Sequence, residues 1–155
     1  MAQPVKSPYS KIRDEALTKY RTYLTGSDDG LLCVVSYAPL GETAATAIAN
    51  SAQRFGYQDS SVYITIESGE DGRAPLDGPS LLELVEAIDP LGIVATDALA
   101  CEMLSQGYHR PLTFNEVGSL LGRPCCCFSS FADMIADDDA KKEAWHLLKV
   151  LAQRM

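Results

Sequence analysis

Two acidic residues stand where an extended segment turns into a helix. Glu42 follows the turn Tyr37-Ala38-Pro39-Leu40-Gly41, and Asp97 follows the apolar run Leu91 to Thr96. A carboxylate at such a turn can serve as a general base if it lies within hydrogen-bond reach of a ligand proton or a water. Both positions also suit structural work. Glu42 complements the positive end of a helix dipole, and Asp97 is a good N-cap. Ser129 and Ser130 can bind an anion or the polar edge of a base, and Ser130, three residues before Asp133, also reads as a cap. Tyr37 can stack on a planar ligand or pack as an ordinary aromatic. Of the histidines, His109 lies beside Arg110 in a segment of no clear period and is a candidate proton donor. His146 sits in a helical pattern beside Trp145 and reads as a surface or packing residue.

Cys125, Cys126 and Cys127 are consecutive, and the chain has five cysteines altogether. Neighbouring residues of a strand point to opposite faces, so this triplet makes a poor disulfide framework. No CxxC pair is present to frame a structural zinc site. The expectation is reduced, buried thiols that pack as small apolar side chains, with no disulfide, no metal and no cofactor. The competing reading is a redox or metal role for Cys125 and Cys127, which share a face.

The elements that must position these residues follow from periodicity. Ser10 can cap a helix over 10–24 with Ile12, Ala16, Leu17, Tyr20 and Leu24 on one face. Leu31 to Ser36, Ser61 to Ile66, Leu91 to Thr96 and Pro124 to Phe128 read as short strands, the first a continuous apolar run suited to burial on both faces. Helices are expected over Thr43 to Phe55, from a Ser80–Glu83 capping box to Ile88, over Ala98 to Ser105, and from Asp137–Asp139 to about Gln153. The last would bury Ala144, Trp145, Leu148, Leu151 and Ala152. The segment 108–121 reads as a connection crossing the end of the sheet. Strands alternating with helices imply one α/β domain over residues 1–155, with an amino-terminal helix and linker over 1–30, a core over 31–151, a mostly parallel sheet and helices on both of its faces.

The net charge is −8 on 155 residues. Such a chain repels nucleic acid unless its basic residues cluster. Residues 1–23 carry five basic and two acidic side chains, whereas 67–89 carry seven acidic and one basic. A small-molecule or protein partner is therefore expected ahead of nucleic acid, with a DNA contact through the basic first helix as the weaker option. No apolar run approaches the roughly 20 residues that span a bilayer. Met1 to Ser10 lacks a signal-peptide core, and the expected location is the cytoplasm.

Three ordered stretches resemble the four- and five-type branches of the uracil-DNA glycosylase superfamily. Val35-Ser36-Tyr37-Ala38-Pro39-Leu40-Gly41-Glu42 resembles the family's Gly-Glu-Ala-Pro-Gly turn. Val62-Tyr63-Ile64-Thr65-Ile66, followed by Arg73-Ala74-Pro75, resembles its strand ending in asparagine with an Arg-x-Pro loop. Leu81 to Pro90, Ile93-Val94-Ala95 and Ala98 to Leu104 resemble the helix–Pro–strand–helix that comes next. Cys127-Phe128-Ser129-Ser130-Phe131, with Lys141, Ala144, Trp145, Leu147, Leu148 and Lys149, resembles its aromatic-His-Pro-Ser loop and trailing helix. The resemblance spans about residues 31–151. It implies a three-layer α/β/α sandwich around a four-stranded parallel sheet of order 2-1-3-4, with a site at the carboxyl ends of the strands near the topological switch point.

The positions that carry the family's chemistry differ here. Its acidic residue in the first turn falls at Tyr37, and its base-reading asparagine at Ile66, or at Thr65 with a one-residue slip. The histidine that stabilises the departing base falls at Ser129, and the proline after it at Ser130. The stacking aromatic has no counterpart in the helix after Gly41, and residues 1–30 hold none of the cysteines that bind an iron–sulfur cluster in some branches. The expectation is a binding domain without glycosylase activity, its site formed by Tyr37, Ala38, Pro39, Ser68, Asp97, Ser129 and Ser130. The alternative is a divergent glycosylase or nucleobase- or nucleotide-processing enzyme that uses Glu42, Asp97 or Ser129.

Overall fold

The computed structural model describes residues 8–27, 30–67 and 73–155. Its elements are α1 (Pro8–Lys19), β1 (Leu24–Gly26), β2 (Leu32–Ser36), α2 (Glu42–Phe55), β3 (Ser61–Thr65), α3 (Gly78–Ile88), β4 (Gly92–Ala95), α4 (Ala98–Tyr108), β5 (Glu116–Leu120), β6 (Arg123–Cys127), α5 (Phe131–Ile135) and α6 (Asp138–Arg154). One mixed sheet of six strands runs in the order β1-β3-β2-β4-β6-β5. Its inner four strands are all parallel and lie in the order expected for the core. β2 is central, and every residue of β2 and β4 is buried, as the unbroken apolar runs require.

The expected four-stranded parallel sheet is thus extended by an antiparallel strand at each edge, β1 on β3 and β5 on β6. Neither edge strand has an apolar signature. β1 is three residues long with only Leu24 buried, and Glu116–Leu120 buries only Leu120. Edge strands tolerate this, because one of their ladders faces solvent. Segment 108–121 is therefore no simple crossing. It supplies half of a hairpin whose turn places Leu121 at φ 49° and Gly122 at φ 83°, two positive φ values in succession as in a type I′ turn.

Helices cover both faces. Cys33, Val35, Val62, Ile64, Ile93, Ala95, Cys125 and Cys127 meet side chains of α1, α3 and α4. Leu32, Val34, Val94 and Cys126 meet those of α2, α5 and α6. The adjacent cysteines do alternate between faces, and all five are buried and free. Two close approaches set the layer on the first face. A Cβ on Gly107 of α4 would lie 2.4 Å from the Gly78 carbonyl oxygen of α3, so the two helices touch backbone to backbone. At the opposite end of the sheet from the site described below, Arg123 binds Glu86 and Asp89 at 2.7 Å each and donates to the Pro90 carbonyl at 3.0 Å.

Helix boundaries depart from expectation where local chemistry competes. Ser10 lies inside α1, which ends at Lys19, and Ile12 is 60% exposed while Ala16, Leu17 and Tyr20 are buried. Asp77, not Ser80, caps α3 by accepting from the Ser80 N–H at 2.8 Å, with Pro79 in the first turn; a carboxylate two residues ahead of a first-turn proline is the better-placed acceptor. On α6 the buried stripe is Ala144, Leu147, Leu148 and Leu151, spaced i, i+3, i+4, i+7. Trp145 stands about 100° around the helix from Ala144 and is only half-buried. Among the described residues, no helix is long and apolar enough to cross a membrane.

Candidate functional site

The crossovers leaving β2 and β4 part company at the centre of the sheet. The chain after β2 enters α2 on one face and goes to β3; the chain after β4 enters α4 on the other face and goes towards β6. Open α/β sheets bind ligands in the crevice that this divergence leaves at the carboxyl ends of the strands. Here the crevice is a cleft of about 440 Å³. Tyr37, Ala38 and Pro39 line it from the turn after β2, Thr96 and Asp97 from the end of β4, and Ser129 and Ser130 from the end of β6. Six of the seven residues expected at a binding site thus share one cleft. The seventh, Ser68, lies outside the described residues.

Asp97 holds the walls of the cleft together. Its Oδ1 accepts from the Ala100 N–H at 2.9 Å, capping α4. Its Oδ2 accepts from the Tyr37 N–H at 3.0 Å and from the Thr96 hydroxyl at 3.1 Å. The strand ends beside it are tied in the same way, Ala98 N–H to the Ser129 carbonyl at 3.0 Å and Phe131 N–H to the Thr96 carbonyl at 2.8 Å. A carboxylate with both oxygens so engaged has a structural task at the first turn. To take up a proton at Oδ2 it would have to release the Tyr37 N–H.

The other candidates divide. Ser130 caps α5, its hydroxyl oxygen accepting from the Asp133 N–H at 3.2 Å. Ser129 is exposed, and Asn115 brackets it: the Asn115 Oδ1 accepts from the Ser129 N–H at 3.4 Å and its Nδ2 donates to the Ser129 Oγ at 3.5 Å. Asn115 was not singled out from the sequence. It sits at φ 58°, with its own N–H bonded to the Cys127 carbonyl at 2.6 Å. The available signal was residue type, since asparagine is one of the few non-glycine residues that enter the left-handed region readily.

Tyr37 is half-buried against the first-face core while lining the cleft. Glu42 is the exposed first residue of α2, consistent with a dipole partner, and is not in the cleft wall. Ile66 is fully buried, with its backbone bonded to Ser36 and Leu76. Thr65 opens instead on a separate groove with Thr25, Ser36 and Tyr63. His109 closes the far end of α4 at φ 53°, roughly 18 Å of helix away from Asp97. His146 is exposed on α6.

Among the described residues that line the cleft there is no lysine, arginine or histidine, and Asp97 is the one carboxylate. The cleft therefore offers hydrogen-bonding backbone and hydroxyl groups, one aromatic ring and apolar wall from Leu40, Ala44 and Leu99, with no cationic group to meet an anion. A scan of protein-family models finds no match to the chain, and no curated protein is significantly similar to it in sequence.

Proposed function

We propose that the chain is a binding domain on a glycosylase-like frame, without glycosylase activity, whose central cleft takes a small uncharged ligand. One observation carries this reading: the single carboxylate in the described cleft wall is already bound to Ala100, Tyr37 and Thr96. Hydrolysis of a glycosidic bond to a base needs a water held by a free acceptor and a donor or cation for the departing anion. Asp97 is engaged, Glu42 stands outside the wall, and Ser129 is the only described group at the position where the resembled family has its histidine. The absence of one such donor typically costs about 3–4 kcal/mol of transition-state stabilisation, and the absence of a general base removes a further factor of about 10²–10⁴. The cleft's volume falls within the range of about 300–1,000 Å³ usual for small-molecule sites.

The test is incubation of the purified protein with single- and double-stranded oligonucleotides containing uracil, followed by alkaline cleavage at abasic sites. No cleavage above a buffer control is expected. Strand breaks that disappear in Asp97→Asn or Glu42→Gln, and persist in a Glu143→Gln surface control, would establish a relocated carboxylate and overturn the reading.

A further inference from the structure

The sheet ends on one side in β5, which pairs with β6 alone among the described strands. The turn Leu121-Gly122 is two residues long, so the hairpin closes on Leu120 and Arg123 as a hydrogen-bonded pair. Alternation along the ladder then turns the N–H and C=O of Ser119 and Val117 away from β6. Two observations agree. Pro124, across from Ser119, has no N–H to give, and the Val117 carbonyl accepts from Arg154 Nη1, outside the hairpin, at 3.2 Å. Within Glu116–Leu120 there is neither lysine nor proline to guard this edge.

Charge along the edge is arranged head to tail. Tyr108 binds Glu86, Glu86 binds Arg123, and Arg123 pairs with Leu120. The end of α4, and with it Arg110, therefore lies at the Leu120 end of β5. Glu116 lies at the other end, about 13 Å away along the strand. Both line a second cleft, of about 380 Å³, under residues 110–113 on the first face. Both are exposed, and neither has an ion-pair partner among the described residues.

We propose that β5 is the interface of a dimer of this chain, pairing antiparallel with β5 of a second copy about a twofold axis at Gly118. In that register Val117 of each copy faces Ser119 of the other, and each such pair exchanges two backbone hydrogen bonds. Gly118 meets Gly118 at the narrow pair, where Cα atoms approach to about 4.5 Å and no side chain has to fit. The inversion brings Glu116 of each copy to the Leu120 end of the other, beside its Arg110 and on the same face. It also carries Leu121, 64% exposed, towards Phe114, 46% exposed, of the other copy. A foreign strand could satisfy the ladder, but only a second copy supplies the two charges in the matching order. Arg154 holds the Val117 carbonyl in the single chain and gives way on pairing. The interface is small, so monomer and dimer should exchange with a Kd of about 10 µM to 1 mM.

The experiment is sedimentation of the reduced full chain across that concentration range. The mass should rise from 16.8 kDa towards twice that value. Arg154→Ala frees the carbonyl and should tighten the dimer at least about threefold, since one exposed hydrogen bond per copy no longer has to be given up. Ser119→Pro removes an outward N–H without touching the ladder to β6 and should abolish the dimer at unchanged circular dichroism. Glu116→Arg and Arg110→Glu should each weaken it about tenfold, two surface pairs being reversed in sign, and the double variant should return to within about twofold of wild type. A mass of 16.8 kDa throughout in both wild type and Arg154→Ala would overturn the proposal. So would a dimer that survives Ser119→Pro, or a double variant no better than either single one. The charge reversals decide it if Ser119→Pro fails to fold.

Discussion

The Asp97 carboxylate and the Tyr37 backbone N–H, sixty residues apart in sequence, are joined at 3.0 Å across the mouth of the cleft. This bond fixes the turn after β2 to the start of α4, so the position of Tyr37 depends on an acceptor in another loop. Asp97→Ala removes an N-cap, worth about 1 kcal/mol, and strands a partly buried N–H, worth about 1–3 kcal/mol more. A total loss of about 2–4 kcal/mol corresponds to a fall of roughly 5–15 °C in Tm for a chain of this size. Asp97→Asn keeps an acceptor oxygen and should lose less than half as much. Thermal melts of the two variants check this, and an unchanged Tm for Asp97→Ala would show that the bond has no structural weight.

On α6 the order of two core substitutions is expected to invert the usual ranking by size. Leu148 is 5% exposed and lies in the second-face core. Its truncation to alanine should cost about 2–5 kcal/mol. Trp145 is half-buried and belongs to neither core cluster, so Trp145→Ala should cost less than Leu148→Ala despite the larger side chain. Urea unfolding of both variants tests the ranking. A greater loss for Trp145→Ala would place the indole in the core.

What could be read in the sequence follows burial. β2 and β4 are covered on both faces, so their unbroken apolar runs located them, and the caps Asp97, Ser130 and Asp137 marked three helix starts. β1 and β5 escaped because an edge strand needs no apolar side chains to keep its ladder. Trp145 was misplaced because a large aromatic beside Ala144 and Leu148 reads as core by type, whereas one residue of helical rotation decides its exposure. Six of the residues singled out by type line one cleft, but residue type left the state of Asp97 open. A cap and a general base are the same residue in sequence, and the bond to Tyr37 is visible only in the fold. Asn115 reaches Ser129 through a hairpin that had no signature, so it could not be foreseen.

Stability should fall as pH rises above about 9. Burial pushes the Cys33 thiol from 9.0 up to about 12, with Arg123 pulling slightly the other way, and burial with the charge of Cys127 pushes Cys126 up to about 12. Above pH 9 the unfolded chain releases these protons while the folded chain keeps them, so the folded state binds more protons and loses stability with each pH step. The contribution is fully present below pH 9 and lost as pH climbs towards 12, at up to about 1.4 kcal/mol per pH unit for each thiol. Burial and its hydrogen bond to Glu86 raise Tyr108 as well, and this tyrosine adds to the loss above about pH 10. Urea unfolding from pH 8 to 11 under reducing conditions measures the slope. Cys33→Ala should lower stability at pH 8 yet flatten the slope above pH 9, and an unaltered slope would show that Cys33 is not held protonated.

The central cleft should accept an uncharged planar heterocycle weakly, and a single bulky substitution should close it. Uracil is a suitable probe because it pairs a flat ring with a hydrogen-bonding edge, matching Tyr37 on one wall and the Ser129 hydroxyl on another. With eight non-hydrogen atoms at about −0.5 kcal/mol each, binding of about −4 kcal/mol is expected, a Kd on the order of 1 mM. Titration followed by ¹H–¹⁵N correlation spectra should shift the amides of Tyr37, Leu99 and Ser129, all in the cleft wall, and leave those of Arg110 and Thr113 by the second cleft in place. Ala132 lines the same wall and is exposed, so Ala132→Trp fills the space without disturbing the core and should raise Kd at least tenfold at unchanged Tm. Uridine monophosphate serves as the charged comparison. With no lysine, arginine or histidine among the described lining residues, its phosphate gains nothing from the wall, and it should bind no more tightly than uracil. Saturable binding of the nucleotide at least tenfold tighter than the base, lost in Ala132→Trp, would mean that a cation reaches the cleft and that its ligand is an anion.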